Sequence, residues 1–120
     1  MTKALDPEIM RKFYGSENWY RHGLVRTVLF TDGAKYIADA AGAYWLLDEI
    51  ALAQRFDKKV AAEEFQVWKL TVYGNSTAKL ECEDGNDHLL FSKAIAFTDF
   101  PLGEIKLFFC NDTILLPSEY

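Results

Sequence analysis

Ala40-Ala41-Gly42-Ala43-Tyr44-Trp45-Leu46-Leu47-Asp48-Glu49-Ile50-Ala51-Leu52-Ala53-Gln54-Arg55-Phe56 is a run in which β-branched residues nearly vanish. Its composition predicts the principal helix over 40–56, with Asp39 as cap and Asp57-Lys58-Lys59 as polar exit. At about 100° per residue, Ala43, Leu46, Leu47, Ile50 and Ala53 fall on one arc, the stripe a helix lays against a sheet. Trp45, Leu52 and Phe56 form a second apolar arc, bounded by Glu49 on one flank and by Asp48 with Arg55 on the other. An exposed arc of that chemistry is a liability on a monomer. Either the N-terminal helix and hairpin cover it, or another chain docks there through Trp45 in a two-fold homodimer or partner interface.

Downstream of this helix the pattern changes to short strands separated by turns. Phe65–Val72, Thr77–Glu83, His88–Phe97, Glu104–Cys110 and Thr113–Leu116 are the expected strands, with turn residues such as Gly74-Asn75-Ser76, Asp84-Gly85-Asn86-Asp87 and Asn111-Asp112 between them. Alternation is cleanest in the second, where Ala78, Leu80 and Cys82 face one way and Thr77, Lys79, Glu81 and Glu83 the other, so one face is buried and one is wet. Connections this short predict antiparallel neighbours in a meander.

Upstream, Asp6 before Pro7 and Glu8 predicts a capped helix of about two turns, with Ile9, Met10, Phe13 and Tyr14 on its apolar side and Gly15 at its end. Trp19–Arg21 and Thr27–Phe30 are β-rich, and Asp32-Gly33 within Thr31-Asp32-Gly33-Ala34 predicts a tight hairpin returning through Lys35-Tyr36-Ile37. The expected fold is therefore a single α+β domain over residues 1–120. It has a short N-terminal helix and a β-hairpin, then one long helix packed on an antiparallel sheet of four or more strands.

Composition narrows the function classes. The chain has 120 residues, 50% of them hydrophobic and 15% aromatic. That is enough for a core without disulfide or metal support, and it excludes a disordered tail. A formal charge of −5 argues against nucleic acid or an anionic membrane as partner. The charge is uneven: +2 over residues 1–35, −1 over 36–59 and −6 over 60–120, which gives the sheet half an acidic exterior. No run of apolar residues reaches membrane-spanning length and the N-terminus has no apolar leader, so a cytoplasmic protein is expected. Cys82 and Cys110 fall on opposite strand faces, which predicts two reduced thiols.

Sites with recognisable chemistry are few. Glu81, Glu83, Asp84, Asn86 and Asp87 make an acidic turn, but EF-hand spacing is absent, and a solvated hairpin turn is the expectation. His22 and His88 belong to no metal-ligand pair, so neither metal nor cofactor is expected. Cys110, His88 and Asp112 can be written as nucleophile, base and orienter, yet such a triad arises from composition alone. P-loop, Gly-x-Ser-x-Gly and Gly-x-Gly-x-x-Gly motifs are missing from the sequence. Tyr36 and Tyr44, near Asp32 and Asp39, are the candidate ligand-facing pair, in a cleft that also takes in Asp48 and His88.

Thr31-Asp32-Gly33-Ala34-Lys35-Tyr36, Tyr44-Trp45-Leu46-Leu47-Asp48, Phe65-Gln66-Val67-Trp68, Cys82-Glu83-Asp84-Gly85, Thr98-Asp99-Phe100-Pro101-Leu102 and Leu115-Leu116-Pro117-Ser118-Glu119-Tyr120 carry a further signal. Through them the chain resembles, over nearly its full length, an uncharacterised bacterial family of small proteins known only as a domain of unknown function. The resemblance implies a stand-alone bacterial protein, also met in mobile-element contexts, and brings no activity, cofactor or catalytic residue. The expectation is a non-enzymatic protein-binding or accessory protein, for instance in an anti-defence role, with Trp45, Leu52 and Phe56 as its contact residues. The alternative is a small-molecule-binding protein or enzyme using the cleft near Tyr36, Tyr44 and Asp48. DNA mimicry ranks third, because −5 is a modest charge.

Overall fold

The computed structural model describes residues 4–15 and 17–120. Met1, Thr2 and Lys3, the start of the segment read as lacking a leader, lie outside the described residues, as does Ser16. In chain order the elements are α1 (Pro7–Met10), β1 (Trp19–Arg21), β2 (Leu29–Thr31), α2 (Asp32–Ala41), α3 (Tyr44–Phe56), α4 (Lys58–Ala61), β3 (Phe65–Val72), β4 (Ala78–Glu83), β5 (Leu89–Ile95), β6 (Glu104–Cys110), β7 (Thr113–Leu115) and a closing 3₁₀ turn (Pro117–Glu119). The strands form one seven-stranded sheet in the order β1-β2-β7-β6-β3-β4-β5. Its inward residues, among them Trp68, Leu70, Leu80, Cys82, Leu107 and Ile114, form one core with the buried residues of α2 and α3.

The α+β reading holds, and the sheet has more strands than the four required, but five finer expectations are corrected. First, the sheet is mixed: β2 and β7 pair in parallel, Leu29 against Thr113 and Phe30 against Ile114. These strands lie far apart in sequence, so no tight turn dictates their direction. Second, the meander stops at β5. The segment 96–103 carries the chain back past β4 and β3 to place β6 on the far side of β3. That crossing spans roughly 14 Å, well within the reach of an extended segment of this length. Buried Phe100 anchors the crossing, and the Thr98 N–H donates to Ser76 O at 2.8 Å.

Third, the single long helix is two helices. Gly42 adopts the left-handed conformation, φ 61°, and ends α2, so α3 begins afresh at Tyr44 and Asp39 lies inside α2 rather than capping α3. Asp32-Gly33 is not a hairpin turn, and Lys35-Tyr36-Ile37 is not a strand. Thr31 caps α2, its Oγ1 accepting from Ala34 N at 3.3 Å, and Gly33, Ala34, Ile37, Ala38 and Ala41 turn a helical stripe into the core. The hairpin partner of β1 is β2 itself, Trp19 opposite Thr31. The N-terminal helix is also shorter than expected. Asp6 caps it as read, but it makes a single turn, with Phe13 beyond it packed on the Tyr36 ring at 5.7 Å.

Two polar devices hold these parts together. Gln66 on β3 is fully buried; its Oε1 accepts from Trp68 Nε1 (2.9 Å) and Gln54 Nε2 (2.7 Å), while its Nε2 donates to Val60 O (2.8 Å) and Glu63 O (3.0 Å). It ties β3 to the end of α3 and to α4, whose first turn Asp57 caps. The second device is the Glu119 carboxylate at the start of α2. Oε1 accepts from Thr31 Oγ1 (2.7 Å) and Leu116 N (2.9 Å), and Oε2 accepts from Gly33 N (3.1 Å). A carboxylate there meets unpaired helix N–H groups and the positive end of the helix dipole.

Gly33 is required by this closure, since a Cβ at that position would collide with the Glu119 carboxylate and stand 2.7 Å from Leu116 Cδ1. Gly33→Ala is expected to cost about 2–3 kcal/mol in urea unfolding, and Glu119→Ala a similar amount from the donors it strands. The double variant should fall short of the sum by about 1 kcal/mol, because Glu119→Ala removes one of the colliding groups. Strict additivity would show that the two residues do not press on each other.

Candidate functional site

The residues singled out by sequence do not converge on one cleft. Tyr36 faces the N-terminal segment, its Oη accepting from Asp6 N at 3.1 Å. Tyr44 is exposed and donates its hydroxyl to Asp39, which also takes Lys35 Nζ at 2.7 Å. Lys35, followed by the Tyr44 hydroxyl, holds the Asp39 carboxyl below its ordinary range, and the hydrogen bond to Asp39 raises the Tyr44 phenol. These contacts link α2 to the start of α3.

Asp48 has a different partner. Its Oδ1 lies 2.7 Å from Nε2 of the buried His22, and His22 Nδ1 accepts from Leu24 N (3.1 Å) and Val25 N (3.0 Å). Two donors on Nδ1 leave the proton on Nε2, so both ring nitrogens are occupied in holding the β1–β2 loop to α3.

Nor do Cys110, His88 and Asp112 assemble. Cys110 ends β6, whereas His88 enters β5, with β3 and β4 between them, a separation of roughly 14 Å at ordinary strand spacing. His88 Nδ1 instead lies 2.7 Å from Asp84 Oδ2. Asp84 also accepts the Asn86 and His88 backbone N–H groups, so this carboxylate organises the acidic turn. That bond raises the His88 imidazole above its ordinary value, and the Asn86 N–H is the leading cause of the lowered Asp84 carboxyl. Burial pushes the Cys82 thiol up to about 12 and raises Cys110 as well, so neither has the lowered pKa of an activated nucleophile. Among the described residues no group of three His, Cys, Asp or Glu side chains is placed to hold a metal.

What does come together is the second arc of α3 and the outermost strand of the sheet. Trp45, Glu49, Leu52 and Phe56 stand one above another at helical spacing. Opposite them on β5 are Ile95, Lys93 and Phe91, which alternate to one face of the strand. Glu49 Oε1 takes Lys93 Nζ at 2.6 Å, and this ion pair divides the groove into two hollows. One of about 240 Å³ is lined by Trp45, Ile95 and Phe97, and the other, about 310 Å³, by Leu52, Phe56 and Phe91. Cover for the second arc thus comes from β5, not from the N-terminal helix and hairpin, and it is partial. Trp45 and Leu52 are half-buried, but Phe56 is 74% exposed, Phe97 71% and Leu89 53%.

β5 is also an open edge of the sheet. The opposite edge, β1, has three residues, too few to offer much of a template, whereas β5 has seven. The register against β4 shifts between Cys82 and Glu83, leaving Leu90 as the extra residue of a bulge. Sequence reasoning located the α3 half of this groove from its periodicity. It missed the β5 half, because strand order decides which strand is an edge.

A larger hollow of about 450 Å³ lies between α4, Thr27 and the β6–β7 turn, lined by Gln54, Glu63, Glu64, Asn111 and Asp112 among others. Gln54 is committed to Gln66 there, and Asn111 and Asp112 serve the turn at positive φ.

Fold and groove define a two-layer α+β domain with an apolar channel along an open sheet edge. Over residues 7–120 the chain matches the model of a family described as Family of unknown function (DUF6876). It belongs to that family. No curated protein and no solved structure matches it.

Two measurements test the geometry. In long-range ¹H–¹⁵N spectra His22 should appear as the Nε2–H tautomer, and a protonated Nδ1 would contradict the two backbone donors. Near pH 8.5 a disulfide reagent should label Cys110 in the native protein and Cys82 only after unfolding, as expected for a buried thiol; fast native labelling of both would contradict the burial of Cys82.

Proposed function

We propose that this chain is a non-enzymatic binding protein that takes an extended segment of a polypeptide partner on the β5 edge. The observation that carries this reading is the grouping of Phe56, Leu89 and Phe97 around an edge strand whose only charge, Lys93, is already paired with Glu49. Natural edges are blunted by charge, brevity, bulges or cover. The bulge at Leu90 and the paired Lys93 blunt only part of this strand. β5 is long, nearly uncharged and bordered by apolar hollows.

Strand addition supplies the physical mechanism. Main-chain hydrogen bonds to the open edge give affinity, and side-chain pockets at alternate positions give specificity. Phe91 and Ile95 mark the two hollows and lie four residues apart, about 13 Å along a strand, so a partner strand would place apolar side chains at positions i and i+4. Neither thiol nor His22 offers a ready nucleophile or base, because both thiols are raised and His22 has both nitrogens engaged. Helix length adds one point: among the described residues no helix is long and apolar enough to cross a membrane.

Amide spectra of the ¹⁵N-labelled chain, titrated with short peptides carrying Leu or Phe at i and i+4, test the reading. Shifts should cluster in residues 89–97 and 49–57, and Phe56→Asp should weaken binding about tenfold. Shifts centred on the polar hollow at Gln54 and Asp112, or none with any peptide, would reject it.

A further inference from the structure

We propose that the strand occupying this edge is β5 of a second copy of the chain. The two Leu89–Ile95 segments run antiparallel about a two-fold axis at Ser92, so that two seven-stranded sheets continue into one. This deepens the reading above and rests on it.

Three observations select a second copy over an unrelated strand. The first is charge. A two-fold at Ser92, beyond the bulge at Leu90, sets Lys93 opposite Phe91 of the other copy, so no like charges meet; each ammonium stays on its own Glu49 and lies beside an aromatic ring. An axis at Lys93 itself would oppose two ammonium groups, and that register is excluded.

The second is shape. Phe56 and Leu89 stand at one end of β5 and Phe97 at the other. Antiparallel pairing brings the first end of each copy against the second end of its mate, and both helical layers fall on the same side of the continued sheet. The exposed Phe56 of one copy thereby approaches the hollow lined by Trp45 and Phe97 of the other.

The third is area. With side chains of roughly 200 Å² for Phe and slightly less for Leu, Phe56, Phe97 and Leu89 expose on the order of 400 Å² per copy. Across two copies that is about 800 Å² before the paired strands are counted, against the roughly 1,200 Å² at which specific interfaces begin.

Sedimentation equilibrium of the full chain, up to about 200 µM, tests the proposal. A mass of twice 13.7 kDa is expected. Ser92 is exposed, so Ser92→Lys leaves the core intact while setting two ammonium groups on the axis. It should weaken association at least tenfold, as should Ser92→Glu, and an equimolar mixture of the two variants should recover the dimer. A wild-type chain that stays at 13.7 kDa overturns the proposal, and so does a dimer indifferent to both variants. A monomer that still takes the i, i+4 peptides at β5 overturns the second copy alone, whereas a monomer that ignores them overturns the binding reading as well.

Discussion

The carboxylate of Glu119 sits where the two halves of the chain meet, and much of the architecture depends on it. Its oxygens gather Thr31, Gly33 and Leu116, that is, the end of β2, the first turn of α2 and the segment leaving β7. One buried charge is satisfied three times, by a hydroxyl and two backbone N–H groups, and it faces the positive end of a helix. The parallel pairing of β2 with β7 and the direction in which α2 leaves β2 are both fixed at this point. Gly33 is the steric counterpart, because no side chain fits between the helix and the carboxylate.

With that end closed, the other end of the sheet is left open. The route through 96–103 places β6 inside the sheet and strands β5 at its edge. α3 covers the sheet with one stripe and leans its second stripe toward β5, reached by the Glu49–Lys93 pair. An edge strand and a half-covered helix face are each common, and either can be harmless. Their coincidence, with Phe56 and Phe97 uncovered at its two ends, makes this the part of the surface with most to gain from a partner.

Local chemistry was legible where it was self-contained. β3 and β6 have the bounds their alternation predicts, and Asp6-Pro7 caps a helix as expected. The stripe Ala43, Leu46, Leu47, Ile50 and Ala53 is buried to the last residue. Reading failed at Asp32-Gly33, where a pair suited to a turn is recruited into a helix by a residue 86 positions away. It failed again at Gly42, whose left-handed geometry was hidden inside an alanine-rich run. The candidate site was half legible: Trp45, Leu52 and Phe56 share an arc by periodicity, while Tyr36, Tyr44 and Asp48 proved to be held by Asp6, Asp39 and His22.

By itself the sequence determined the fold class, the inward faces of its principal strands and the existence of two apolar stripes on one helix, because these follow from repeats of two and about 3.6 residues within single elements. Tertiary structure decided which strands are neighbours, where the alanine-rich segment breaks and which apolar stripe reaches an open edge. Those outcomes depend on contacts between residues far apart in the chain, whose energies exceed local preferences of a fraction of a kcal/mol per residue.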